Sequence, residues 1–298
     1  MNKPAPIIKH KAVLGEGPWW DAEENRLYWI DGLEEGGRGD DLHRYDPARG
    51  IDEVWHIGKH IGCAIPTKDG RVLMALEDGI YLFDKESKKL KELGNPELGI
   101  KNNRFNDGKC DSKGRLWFGS MSMTANQPGR EFEVTGSFYK MERDGKVKKF
   151  FGGVGISNGL AWNTNETRMY YIDSTAARVF TFDFDSENGE ITNRRTIIKI
   201  DDGVPDGMSI DVDGMLWVAH FGGWKLSRWN PESGERIEEI PLPCAQVTSC
   251  CFGGADLDEL YITTASIGLS EREREDQPLA GMVFMVKPGT RGTILNKF

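Results

Sequence analysis

Short runs of β-branched and aromatic residues, bounded by Asp, Gly and Asn, dominate the hydrophobic pattern of the chain. Such runs predict strands, and long amphipathic helical stretches are absent. Six of them follow a turn signal: "WWDAEENRLYWID", "TKDGRVLMALED", "CDSKGRLWFGSM", "WNTNETRMYYIDS", "IDVDGMLWVAHFGG" and "FGGADLDELYITTAS". Aligned on the first apolar residue after the turn, the anchors are Leu27, Val72, Leu116, Met169, Leu216 and Leu260, spaced 45, 44, 53, 47 and 44 residues apart. Each segment is followed by a further strand-like run, such as "IYLFD" or "RVFTFDFD". A unit of about 45 residues built from several short strands is the size of one propeller blade. The pattern therefore predicts an all-β fold, a six-bladed β-propeller with four-stranded blades and a central axial site, in a single domain covering 1–298. The early run "IIKHKAV" is expected to pair with the last blade and clasp the ring, which removes exposed sheet edges.

The phase of the repeat carries the candidate chemistry. Glu16 and Asn158 lie 11 residues before their anchors, and Asn106 and Asp206 lie 10 before theirs. In the other two blades this phase falls on Ile61–Gly62 and Ser249–Cys250. One phase of a propeller repeat means one height and one radius, so two carboxylates and two amides are expected to converge at the channel mouth. Nearby carboxylates repel unless a proton or cation sits between them. Oxygen donors without sulfur suit calcium, magnesium or manganese, and imply zinc less specifically. The competing reading takes "NDG", "SNG" and "PDG" as ordinary turn signals. Four polar residues at one phase favour the cluster. The glycines that follow Glu16, Asn158 and Asp206 also fit close approach of backbones near an axis.

Charge and cysteine usage narrow the partners. A net charge of −9 with no basic stripe argues against nucleic acid. No apolar run is long enough to span a bilayer, and "MNKPAPIIKHKAV" lacks the pattern of a signal peptide, so no membrane partner and a cytoplasmic location are expected. Five cysteines without a CxxC pair indicate buried thiols rather than a disulfide framework or a zinc site. The expected partner is a small molecule, and the expected assembly a monomer or small homo-oligomer.

The stretches "LGEGPWWD", "RFNDGKCDSKGRLWFGSM", "GISNGLAW", "PDGMSIDVDGMLWVAHFGG" and "QPLAGMVFMV" resemble the gluconolactonase/regucalcin family (senescence-marker protein, luciferin-regenerating enzyme), in family order and over almost the whole chain. The resemblance implies a six-bladed propeller with one divalent cation on its axis, held by Glu16, Asn158 and Asp206, and substrate contacts from Arg104 and Asn106. It implies hydrolysis of sugar-acid lactones, some relatives acting on other esters or organophosphates. The regucalcin branch carries a further acid after "FGSM"; here the position falls near Thr124, so that contact is missing.

Lactone opening needs an electrophile-activating cation and a positioned water. Asp206 is the candidate base, with water activated by the cation an equal contender. Glu16 and Asn158 are candidate ligands, and Arg104 can hold an oxygen through its planar fork. Asp107 is most simply a turn cap. His220 reads equally as a pocket residue or acid and as a packed histidine bonded to backbone; Trp19 is a pocket candidate, with one of Trp19 and Trp20 expected at the pocket or rim and the other in the core. The insertion "SMTANQPGREFEVT" is a lid candidate, "EEGGRGDD" a rim candidate, and "EREREDQ" a solvated charged loop. Two alternatives stand beside the lactonase: an esterase or phosphotriesterase using the same cation, and a non-enzymatic calcium-binding or interaction propeller.

Overall fold

The computed structural model describes residues 3–36, 39–126 and 131–298. Its strands form six four-stranded antiparallel sheets, each a blade of the propeller. Blades 1 to 5 take consecutive strands within 15–56, 61–94, 103–154, 157–199 and 204–241. Blade 6 takes three strands from 247–286 and its outermost strand from the start of the chain, Ala5–Ile8, which pairs with Val283–Val286. The clasp thus forms as expected, using the first two residues of "IIKHKAV" and the two just before it.

The turns that precede the anchors Leu116 and Leu216 owe their shape to side-chain capping. Asp111 Oδ1 accepts the N–H groups of Lys113 and Arg115, while its Oδ2 accepts Trp117 Nε1 at 2.8 Å. Asp211 repeats the device with Asp213, Met215 and Trp217. An Asx turn of this kind fixes the hairpin and leaves no buried carboxylate oxygen unpaired.

Adjacent blades pack face to face through large side chains. Successive strand residues point to opposite faces, and the tryptophan pair shows the consequence. Trp19 packs with Tyr28, Ile61 and Ile65 between blades 1 and 2. Trp20 packs with Leu27, Cys251 and Tyr261 between blades 1 and 6, stacked on Tyr261 at 5.5 Å. Neither faces the axis, which corrects the expectation that one lines the pocket. The five cysteines are free and buried, and burial pushes their thiols up, Cys244 to about 11 and Cys250 to about 12.

Two loop expectations meet the structure differently. "EREREDQ" is a short helix, Glu271–Asp276, rather than a loop, with Ser270 and Glu273 in a reciprocal capping box. The lid candidate includes 127–130 and the rim candidate includes 37–38, both outside the described residues.

Candidate functional site

The innermost strands of the blades are Gly15–Asp21, Ile61–Pro66, Asn103–Cys110, Ser157–Trp162, Val204–Ile210 and Val247–Gly253. Each breaks register with its neighbour once, between Glu16/Trp19, Ile61/Cys63, Phe105/Gly108, Asn158/Leu160, Pro205/Met208 and Val247/Ser249. A bulge re-aims the side chains beside it. Six bulges at one phase make a ring, and Glu16, Asn106, Asn158 and Asp206 sit at four of them. The "NDG", "SNG" and "PDG" triplets are therefore strand bulges, not hairpin turns.

Glycine permits this crowding in two ways. A Cβ on Gly159 would lie 2.8 Å from the Asp206 carbonyl oxygen, and one on Gly207 would lie 2.0 Å from Ser249 Oγ, so both let neighbouring inner strands touch. A Cβ on Gly17 would meet Ile30 only at an ordinary 3.6 Å, but its φ of +51 is the left-handed conformation an L side chain rarely adopts.

The four residues and Arg104 line one cavity of about 130 Å³ at the axis. Leu14, Leu33, Met121, Ile156, Phe221 and Ile267 stand among its apolar walls. Its floor is a directed hydrogen-bond chain. Arg104 Nη1 donates to Asn106 Oδ1 at 2.6 Å and to the Phe105 carbonyl at 3.0 Å. Asn106 Nδ2 donates to the Ser157 carbonyl at 2.7 Å and to Asn158 Oδ1 at 3.2 Å. Asn158 Nδ2 donates to Ser174 Oγ at 2.8 Å, and Ser174 Oγ donates to the Pro205 carbonyl at 2.7 Å.

Beside this chain the Glu16 and Asp206 carboxyls line the same cavity, close enough to shift each other's ionisation. Burial is the largest cause that raises the Glu16 carboxyl, with Asp107 adding to it; the Gly17 N–H and Arg104 oppose the shift. Burial likewise raises Asp206, followed by repulsion from Glu16 and Asp107. Burial lowers Arg104 to about 10, against the attraction of Glu16 and Asp206. A buried Asp206 and a half-buried Glu16 on one cavity wall, with amide oxygens alongside and no sulfur, fit a hard divalent cation. Among the described residues no group of three or more His, Cys, Asp or Glu is placed to hold a metal, so the donor set here is carboxylate plus amide.

Three sequence candidates lie elsewhere. His220 is fully buried one strand outward from the axis, its Nε2 2.6 Å from Ser227 Oγ and its Nδ1 3.3 Å from the Asp202 carbonyl. Trp19 is in the inter-blade core. Thr124 is buried, 2.7 Å from Ser122 Oγ, and accepts the Glu133 N–H at 3.2 Å, pinning the base of its loop. Asp107 caps the Gly108 N–H at 2.7 Å within its bulge.

Sequence reasoning missed Ser174, Asp31 and Asp173. Asp31 accepts the N–H groups of Val13 and Leu14, just before Glu16. Asp173 accepts those of Gly155 and Ile156, just before Asn158. Both aspartates lie four residues past their anchors, in the matching "YWID" and "YYID" runs, so the signal was a second shared phase of the repeat.

Comparison with known proteins agrees with this architecture. Residues 14–266 match the family model described as "SMP-30/Gluconolactonase/LRE-like region". The putative sugar lactone lactonase YvrE of Bacillus subtilis is 38% identical over 95% of this chain and 94% of its own length. Regucalcin of Danio rerio is 37% identical over 94% of this chain and 92% of its own. Among solved structures, a luciferin-regenerating enzyme superposes with a TM-score of 0.90 at 34% identity, covering 99% of each chain. The chain belongs to the SMP-30/gluconolactonase/LRE-like family.

Proposed function

We propose that the protein is a divalent-cation-dependent hydrolase that opens a sugar-acid lactone. The observation that carries this reading is that two carboxyls, buried Asp206 and half-buried Glu16, line one axial cavity with the amides of Asn106 and Asn158. Glu16, Asn158 and Asp206 would hold the cation; calcium, magnesium, manganese and zinc are the candidates. When bound, the cation supplies a Lewis acid that polarises the lactone carbonyl oxygen and stabilises the negative charge of the tetrahedral state.

The chain's own residues supply the rest. Arg104 keeps guanidinium donors beyond those it gives Phe105 and Asn106, and these hold a substrate oxygen. Asn106, locked between Arg104 and Ser157, fixes the side of the cavity on which the ring lies. Asp206 takes a proton from the attacking water as the water oxygen bonds to the carbonyl carbon, the ring C–O bond breaks, and Asp206 returns that proton to the leaving alkoxide to give a hydroxyl. The apolar walls keep bulk water from the carbonyl. The two closely similar relatives support the class: one bears the name of a putative sugar lactone lactonase and the other that of a regucalcin.

The apolar walls favour a second reading, an esterase or phosphotriesterase working with the same residues. Aldonolactones, aryl esters and organophosphates assayed with and without chelator separate the two. The lactonase reading expects the largest kcat/KM on an aldonolactone, abolished by chelator. Hydrolysis that survives chelation refutes the cation mechanism for both.

A further inference from the structure

From the hydrogen-bond chain on the cavity floor, we infer that Ser174 is a positioning residue that turns the oxygen of the Asn158 amide, rather than its nitrogen, toward the axis. An asparagine amide has nearly the same shape either way round, so only its partners decide which end faces a ligand. The partners here form a chain whose direction is fixed at both ends. Arg104 begins it, and a guanidinium donates only; Asn106 must therefore present Oδ1 to it and Nδ2 to Asn158. The Pro205 carbonyl ends it, and a carbonyl accepts only. Ser174 has a single hydroxyl proton, and Pro205 takes it at 2.7 Å. What remains on Ser174 Oγ is acceptor capacity, which matches the NH₂ of Asn158 at 2.8 Å and would repel its oxygen.

Ser174 itself is held firmly. It is 4% exposed, opens the short 3₁₀ turn Ser174–Ala176, and its N–H donates to the Ile156 carbonyl at 3.0 Å. Asp173 caps that turn while holding the backbone that leads into Asn158. Its bond to Pro205 reaches blade 5 next to Asp206, so one hydroxyl registers two proposed ligands from two blades.

This inference rests on the proposed cation site, and its test separates the two. Calcium and manganese binding to the purified full chain is measured by titration calorimetry, with metal-free thermal unfolding as a control. Outer partners of metal ligands contribute about 10- to 100-fold in affinity. Ser174→Ala is expected to weaken binding at least about 10-fold while unfolding stays cooperative. In an Asn158→Asp background, where both side-chain ends are oxygen, the same substitution is expected to cost less than about 3-fold, well below that range. An unchanged dissociation constant in Ser174→Ala, or an equal loss in both backgrounds, overturns the positioning role and leaves the cation site standing. A wild-type chain that takes up neither cation overturns the site and the positioning role together.

Discussion

The two ends of the axial channel are built from the same strands and solve opposite problems. At the mouth, Glu16 and Asp206 line one cavity, and burial raises both. Three residues beyond Asn106 on the same strand, Lys109 points into the channel and gives its ammonium to the Leu160 carbonyl at 3.0 Å and the Met208 carbonyl at 2.5 Å. The rear cavity, about 240 Å³, is lined by Lys109, Ser209 and Asn296 among others. The last residues of the chain cross this end. Arg291 accepts from Val212, Gly292 donates to Leu257, Asn296 bridges to Cys110, and Phe298 donates to Pro66. Lys297 completes the crossing with ion pairs to Asp21 at 2.9 Å and Glu23 at 2.7 Å. The rear charge is satisfied by backbone carbonyls; at the front two acids share one neighbouring cation, Arg104. A site meant to bind carries more charge of one sign than its own side chains balance, here two acids against Arg104, whereas a structural centre does not.

Substitutions at the two ends should therefore separate activity from stability. The largest expected effect is at the mouth. Asp206→Asn keeps the shape and removes a charge; kcat/KM on a lactone should fall by about 100-fold or more, while metal-free thermal stability holds or rises because one of two repelling acids is gone. A fall in both together would make Asp206 structural.

Cation binding should stabilise the wild type by about 2.7 kcal/mol at a hundredfold excess over Kd, a rise of several degrees in Tm read by calorimetry, and this rise should be lost in Asp206→Asn. At the rear, Lys109→Met leaves two carbonyls unpaired and should cost about 2 kcal/mol in urea unfolding, with the cation-induced rise in Tm retained. Loss of that rise would mean that the two ends are not independent.

A smaller effect concerns pH in the chelated protein. The Glu16 carboxyl goes from 4.5 to about 8 in the folded state. A carboxyl with a raised folded pKa costs stability as it ionises, so metal-free stability should fall as pH rises through that window. Saturating cation should flatten the slope, and a slope unchanged by cation would place the ion elsewhere. A last comparison is Lys297→Met, which takes from the buried Asp21 carboxylate its ion-pair partner and should cost about 2 kcal/mol with activity unchanged. It measures how much the tail crossing adds to ring closure.

The fold was legible because a propeller repeats, and its repeat length survives changes in individual residues. The clustering of Glu16, Asn106, Asn158 and Asp206 was legible for the same reason, since equal phase means equal radius. Of the two readings of His220 the packed one holds, because "WVAHFGG" lies on the second strand of its blade, where a polar side chain meets Ser227 and Asp202 rather than the axis. The tryptophan pair misled because adjacent strand residues were expected to divide between core and pocket, whereas both faces of an inner strand meet a neighbouring blade. Asp31 and Asp173 were readable as a second shared phase. Ser174 was not, because its importance lies in which atom it accepts from.

By itself the sequence determined the architecture and the ring of polar residues, because periodic burial dictates both. Only the tertiary structure decided that each ring position is a strand bulge, that the hydrogen-bond chain runs from Arg104 to Pro205, and that a lysine and the chain's own tail close the far end. Those outcomes depend on contacts between blades far apart in the chain, and such contacts leave no period to read.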